Sequence, residues 1–296
     1  METLESLARQ IGSVHDLESV VKTMKGLAAV NIRKYEEAVE ALRDYSRTLE
    51  LGLQVLLRRA PQQVSAVAAE SGGRLAAVVL GSDQGMCGQF NSRIVGQAVQ
   101  RLRGLRSEPR PPLIIVLGAR AVGELETSGY EVSRSLRLPG SVPEIGRRVE
   151  DLLFEIDRMR EREGVGRVWL FHQRPLGGAS YEQRFVRLVP LDPRWLASLR
   201  DKPWPTRMIP TFTMDWPALV SSLVRQHLFV ALYRALAESL AAENAARLAS
   251  MQAAEKNVQE RLDHLQGSYH QRRQKAITEE LLDVTAGFEV LERRGQ

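Results

Sequence analysis

Seventy-nine residues follow Pro217, and none of them is a proline. Within that stretch Leu240, Asn244, Leu248, Met251, Val258, Leu262, Leu265 and Tyr269 recur at spacings of three, four and seven, which is one face of a continuous helix. Asp215 is placed to cap its start, and Pro217 falls in the first turn, where a missing amide costs nothing. Some seventy helical residues would reach ~105 Å at 1.5 Å per residue. A compact globular domain has no use for a helix of that length, so the first classes to consider are a coiled coil, a helical repeat and a mechanical rod.

The N-terminus offers a partner. Heptads counted from Leu4 put Leu4, Ile11, Glu18, Lys25, Ile32, Val39, Ser46 and Leu53 at a, and Leu7, Val14, Val21, Ala28, Tyr35, Leu42, Leu49 and Leu56 at d. Only Glu18, Lys25 and Ser46 interrupt the apolar seam, and the first proline is Pro61. One uninterrupted helix over 1–60 is therefore expected, wound antiparallel on a C-terminal helix over 213–296. Ile32 and Leu42 are expected to face that partner.

Between the helices the pattern changes. LAAVVL at 75–80 and LIIVL at 113–117 are short apolar runs of the kind buried on both faces of a parallel sheet, and helical stretches follow at 91–105 and 119–128. A helix over 142–163 precedes RVWLF at 167–171, and 183–191 reads as one more strand. Pro190, Pro193, Pro203, Pro205 and Pro210 then mark a loop-rich return. The expected fold class is α/β: a domain over 74–212 inserted between two rod helices.

Composition adds limits. A length of 296 residues suggests ~2 domains, and 44% apolar content can fill a core. No apolar run approaches the ~20 residues of a membrane span, and METLESLARQ has neither a basic n-region nor an apolar h-region, so a cytoplasmic chain is expected. The single Cys87 leaves no intrachain disulfide, and the five histidines show no metal-ligand spacing. A net charge of +5, with acidic and basic residues interleaved along the helices, favours a polyanionic partner only weakly.

The candidate chemistry sits at GSDQGMCGQFN, residues 81–91, on a strand-to-helix turn where phosphate loops are found. Its glycines match neither GxGxxG nor GxxxxGK[ST], and no lysine is present to reach a terminal phosphate. Cys87 beside a helix N-terminus could be a nucleophile if His172 were brought to it; the other reading makes Gly85, Cys87 and Gly88 parts of a tight structural turn. No catalytic, cofactor-binding or metal-binding residue is assigned.

SDQGMCGQFN at 82–91 resembles the SDRGLCGGxN segment of the gamma subunit of rotary F-type ATP synthases. ENAARLASMQAAEKN at 243–257 is similar to that family's EQAARMxAMxxATxN, and RQKAITEELLDV at 273–284 to its RQxxITxEIxEI. IGSVHDLESVVKTMKGLAAVNIRK at 11–34 follows IxSVKNTxKITxAMxMVAAxKxRK with drift. The resemblance implies an antiparallel coiled coil of the terminal helices with an inserted Rossmann-like α/β domain. It also implies a central shaft without chemistry of its own, coupling ion flow to ATP synthesis or hydrolysis on the beta subunits. The implied partners are the alpha and beta subunits of the F1 ring, the epsilon subunit and the membrane c-ring, with no nucleic acid and no cofactor. The implied location is peripheral, on the cytoplasmic face of a bacterial inner membrane. Residue by residue, it carries a beta-subunit contact onto Met24, Arg247, Gln274 and Thr278.

Departures from the family pattern point to a divergent bacterial branch, an alternative F-type ATPase being one reading. They are His15, Asp16 and Leu17 in place of KNT, Gln84 and Gln89 in the turn, and a charged tip with Glu289, Glu292, Arg293 and Arg294. Two other classes stay open: a Rossmann-like enzyme with helical arms, which would bind a ligand at the carboxyl ends of its strands, and a coiled-coil scaffold or nucleic-acid-binding protein, which would show a basic stripe.

Overall fold

The structure is a computed structural model that describes residues 3–59, 72–104, 110–205, 207–208 and 210–294, with side chains described to 285. Helices α1 (Leu4–Ala41) and α2 (Arg43–Arg59) lead to strand β1 (Arg74–Leu80), α3 (Phe90–Arg103), β2 (Leu113–Leu117) and α4 (Ala119–Thr127). β3 (Arg134–Leu136), α5 (Val142–Glu163), β4 (Val165–Gly177), β5 (Ser180–Val189), α6 (Pro193–Asp201) and α7 (Trp216–Arg294) complete the chain. It divides into two compact units, one of residues 1–27 with 249–296 and one of residues 28–248, so α1 and α7 each contribute to both.

The larger unit is built on a five-stranded sheet of order β3-β2-β1-β4-β5, parallel except for the antiparallel β4–β5 hairpin. Alternation along β1 assigns its two faces. Ala76, Val78 and Leu80 pack with Ile145, Val149 and Leu152 of α5 and with Leu232, Leu236 and Leu240 of α7. Leu75, Ala77 and Val79 pack with Ile94 and Ala98 of α3 and Leu125 of α4. A sheet covered on both sides needs the unbroken apolar strands found at 75–80 and 113–117. α5 keeps the expected bounds because Pro143 sits in its first turn and Gly164, at φ 67°, supplies the left-handed residue that ends it.

A smaller core joins Leu53, Leu56 and Leu57 of α2 to Leu196 and Leu199 of α6 and Val220 of α7. Two expectations fail around it. The N-terminal helix is not continuous: at Leu42 the amide donates to Val39 O at 3.3 Å, a tighter turn, before Ser46 N resumes the α pattern on Leu42 O. Beyond that break Gln54 and Val55 are buried beside Leu53 and Leu56, so α2 packs over a broad face where α1 uses a stripe. The proline-rich return is also not all loop. Pro193 is the first residue of α6, and Asp192 caps it by accepting from Arg194 N at 2.9 Å. Leu105 and Pro61 lie outside the described residues, as do the side chains of Glu289, Glu292, Arg293 and Arg294.

The heptad reading holds in the burial of α1. Leu7, Val21, Ala28 and Tyr35 at d are buried, and the a residues Leu4, Ile11, Lys25, Ile32 and Val39 are half-buried. Within the smaller unit the direction is antiparallel: Lys25 meets Glu255 at 2.6 Å, whereas Ser6 to Val14 share a groove with Arg261 and Leu265. Lys25 is a polar a residue with a specific partner on the facing helix, a device that fixes register. Ile32 and Leu42, in the larger unit, are half-buried. At the other end, the expected cap is present: Asp215 Oδ2 accepts from Ala218 N at 3.4 Å.

Val21 is 8% exposed and its neighbour Val20 is 52% exposed. Val21→Asp would bury an unpaired carboxylate in the seam and is expected to cost roughly 2 kcal/mol or more. Val20→Asp is expected to fall within about 0.5 kcal/mol of wild type. Amide exchange over residues 10–27 in the full chain checks the pair: equal acceleration in both variants would put the seam on another face.

Candidate functional site

The turn between β1 and α3 is tied on every side. Ser82 N donates to Asn91 Oδ1 at 2.9 Å, and Asn91 Nδ2 returns a bond to Ser82 Oγ at 2.8 Å. Asp83 accepts from Ala119 N at the start of α4 and from Leu138 N after β3, both at 2.9 Å. Two glycines are required by space. A Cβ on Gly81 would stand 2.4 Å from Ala121 Cβ, and one on Gly118 would stand 2.6 Å from Ser82 N. Left-handed backbone falls on Gly88 at φ 57° and on Met86 at φ 60°, an unusual place for a side chain. Gly85 is needed for neither reason; its carbonyl instead accepts from Arg247 Nη2 at 3.4 Å.

Cys87 is 2% exposed, against Phe90, Ala242 and Ala246. Its sulfur has Ser82 Oγ, Gln84 O and Asn91 Nδ2 as hydrogen-bond partners, and none of these is a base. Burial raises the thiol pKa, although the Ser82 bond pulls the other way, so the nucleophilic thiolate is disfavoured. Among the described residues no group of His, Cys, Asp and Glu is arranged to hold a metal ion.

Arg247 lies on α7 under this turn, buried, with Nη2 on Glu243 Oε1 at 2.6 Å and Nη1 on Asn244 Oδ1 at 3.5 Å. Burial pushes the Glu243 carboxyl above its usual range; Arg247 opposes that shift and Asp83 adds to it. Its guanidinium therefore already holds a carboxylate of its own chain. Glu243 is one turn N-terminal to Arg247, the spacing that favours such a pair, and that signal was present in ENAAR. Arg247 belongs to the larger unit; the other expected contact residues are Met24, Gln274 and Thr278.

Those residues belong to the smaller unit. Met24 is half-buried on α1; Gln274 and Thr278 are exposed on α7 and linked by a bond from Thr278 Oγ1 to Gln274 O at 2.9 Å. Among the described side chains the last half-buried residue of α7 is Tyr269, and from His270 to Thr285 every side chain is exposed. Ile277, Leu281, Leu282 and Val284 are 49–63% exposed there, and Leu17, Val20 and Leu27 are 52–59% exposed on α1. A helix with large apolar side chains open to solvent marks an interaction surface.

A family model described as ATP synthase matches residues 3–291 of the chain. The chain is 27% identical over 293 residues to the ATP synthase gamma chain of Pelotomaculum thermopropionicum, covering 99% of this chain and 100% of that one. It is 28% identical over 320 residues to the ATP synthase gamma chain of Thermosynechococcus vestitus, at 98% and 100% coverage. Among solved structures, a chain of the Euglena gracilis mitochondrial ATP synthase in an OSCP/F1/c-ring assembly superposes with a TM-score of 0.65 at 18% identity, covering 99% and 96%. A rotor chain of the same complex gives 0.61 at 17% identity, covering 93% and 98%. With helices at both ends, a doubly covered sheet between them and a family match along almost its whole length, the chain belongs to the ATP synthase gamma-chain family.

Proposed function

We propose that the chain is the central rotor shaft of an F-type ATP synthase, coupling ion movement through a membrane c-ring to ATP synthesis or hydrolysis on beta subunits. The observation that carries this reading is the stretch of α7 beyond Tyr269. There the helix runs on with every described side chain exposed and apolar groups in water, as expected of a shaft enclosed by other subunits. The relatives named as gamma chains, and the neighbours named as a rotor and as part of an OSCP/F1/c-ring assembly, support it. In this reading residues 1–60 and 213–296 are the shaft and 74–212 the foot, which meets the epsilon subunit and the c-ring. Among the described residues no helix is long and apolar enough to cross a membrane, which suits a peripheral subunit on the cytoplasmic face of a bacterial inner membrane.

The shaft does no chemistry itself. Its surface differs around its circumference, so each of several identical neighbours meets different contacts and is biased toward a different conformation. Moving a neighbour from mostly one state to mostly the other takes ~5.5 kcal/mol of differential interaction. The direct test is co-expression of a tagged chain with the alpha and beta subunits of its own complex. The reading expects both to co-purify and the assembly to hydrolyse ATP with rotation of this chain; a chain recovered without them would overturn it.

The turn at 81–91, with Gly85, Cys87 and Gly88, is structural in this reading. Cys87→Ser is expected to keep the ATPase rate of the assembled complex within about threefold of wild type, well under one effect of the size of general acid–base catalysis. A loss of hundredfold or more with assembly intact would return the thiol to candidacy as a nucleophile.

Met24, Gln274 and Thr278 are proposed contacts with a loop of the beta subunit, as is Arg247. Gln274→Ala is expected to leave assembly intact and change ATP-driven ion pumping or hydrolysis several-fold, on the order of 1 kcal/mol for one hydrogen bond. Wild-type values in both assays would make Gln274 a bystander.

Arg247 could reach a second subunit only by leaving Glu243, so its substitution has a folding effect first. Arg247→Ala strands a buried carboxylate and is expected to lose about 3–5 kcal/mol. Adding Glu243→Gln should recover much of that loss. Thermal melts of the single and double variants decide it: equal midpoints would show that the pair is not coupled.

A further inference from the structure

A cavity of about 540 Å³ lies in the larger unit, between the β4–β5 hairpin and helices α2, α6 and α7. Neither the turn at 81–91 nor the proposed shaft surface uses it. Its size falls in the ~300–1,000 Å³ range of small-molecule sites. Arg174, Arg184 and Arg234 line it, together with His172 and Glu238.

Two nitrogen atoms among these groups are buried and have no hydrogen-bond partner. His172 is 4% exposed, and its Nδ1 makes no hydrogen bond; the nearest carboxylate oxygen, Glu238 Oε2, is 3.7 Å away. Burial lowers the imidazole pKa to about 4 against an opposing backbone hydrogen bond at Gln173, with Arg184 and Arg174 pressing the same way as burial, so the ring is neutral at physiological pH. Arg234 Nε is likewise buried with no partner. A buried polar atom left without a partner is rare in a folded chain and unfavourable. Two around one cavity call for a ligand that satisfies both.

Charge selects its sign. Arg174 and Arg184 share a single carboxylate, Glu182 Oε1, at 3.1 and 2.8 Å, which leaves one positive charge uncompensated. Two lining carboxylates are committed elsewhere: Glu50 to Lys202 at 3.2 Å, and Asp192 to the cap of α6. Arg187, which also lines the cavity, has a partner of its own. Glu238 faces three guanidinium groups, and burial raises its carboxyl pKa in spite of them. An anion with several acceptor oxygens fits such forks in bidentate fashion. A phosphate adds a P–OH, so it can also meet the neutral His172 nitrogen in either tautomer, as donor or as acceptor. Beside these groups Trp195 stacks on His227 at 4.6 Å, a flat wall within reach of an organic substituent.

We propose that this cavity is a phosphate-recognising site, taking either free phosphate or the phosphate group of a small phosphomonoester. It is independent of the shaft reading, and its failure would leave that reading standing.

The test is calorimetric titration of the purified full chain at neutral pH, once with inorganic phosphate and once with AMP, against chloride at equal ionic strength. Saturable binding with a Kd on the order of 1 mM or tighter is expected. AMP at least about tenfold tighter than phosphate would assign the site to phosphomonoesters, and equal affinity would assign it to free phosphate. Arg234→Gln is expected to weaken binding at least about tenfold, as is Arg234→Lys, which keeps the charge and loses the fork. Arg225→Gln, at the pair with Asp157 outside the cavity, should bind as wild type does. Should Arg234→Gln fail to fold by circular dichroism, Arg234→Lys decides. No saturable binding of either ligand to the wild type would overturn the proposal, and so would undiminished binding in the folded Arg234 variants.

Discussion

From Ala235 to Arg247 every residue of α7 except Glu238 is buried, on all sides of the helix. A helix with no solvent face needs neighbours all round, and the alanines at 235, 237, 241, 242, 245 and 246 let them approach closely. Ala235, Ala237 and Ala241 meet the sheet face and Tyr35 of α1. Ala242 and Ala246 meet Cys87 and Phe90 of the turn. Sheet, N-terminal helix and turn are thus all seated on one segment, and a larger side chain there would displace at least one of them. Overpacking of a close-packed core costs ~1–3 kcal/mol per added group.

Into this dry segment the chain places Glu243, Asn244 and Arg247. Replacing a buried ion pair with apolar residues is often neutral or stabilising, so net stability is a poor account of it. Geometry gives a better one. Asn244 returns its amide to Leu240 O at 2.8 Å, and Arg247 reaches Gly85 O only when α7 and the turn are in one register. An apolar segment of alanines could slide by a turn at little cost, whereas a misplaced Glu243 would be an unpaired buried charge. The same logic holds at Lys25 and Glu255 in the smaller unit, where a polar a residue specifies alignment along an otherwise uniform seam.

What was legible in the sequence is what periodicity and punctuation encode. LIIVL became β2 with the bounds read, and the helix at 142–163 was bracketed by Pro143 and Gly164. Less visible were features made by tertiary contact. β3 is three residues, Arg134–Leu136, at a sheet edge, with no buried residue to make a pattern. α6 was hidden because a cluster of prolines reads as loop, although Pro193 behind Asp192 is also how a helix begins. The break at Leu42 interrupts a seam whose heptads continue through it. Of the expected site residues, exposure could be read for Gln274 and Thr278, but the burial of Arg247 could not, because AARLASM looks alike on an open helix and inside a core. The cavity at His172 and Arg234 joins strand and helix residues 62 positions apart in sequence, beyond any local pattern.

The exposed surface of the smaller unit contains two kinds of group, and their physics differs. Leu17, Val20 and Leu27, with half-buried Met24 between them, are spaced as one stripe of α1, and Ile277 and Leu281 sit one turn apart on α7. Scattered apolar residues are ordinary, but stripes at helical spacing are not. Apolar contact is non-directional and scales with area. A ring lined to match can therefore hold such a shaft at any angle, with little to choose between one angle and the next. A hydrogen bond is directional and weakens steeply off its geometry, so the contact proposed for Gln274 would favour particular angles. A shaft that must be retained at every angle and yet pause at some needs the first kind of contact in quantity and the second in small number. If Gln274 makes its proposed contact, substitutions there should change rate, while those in the seam change stability.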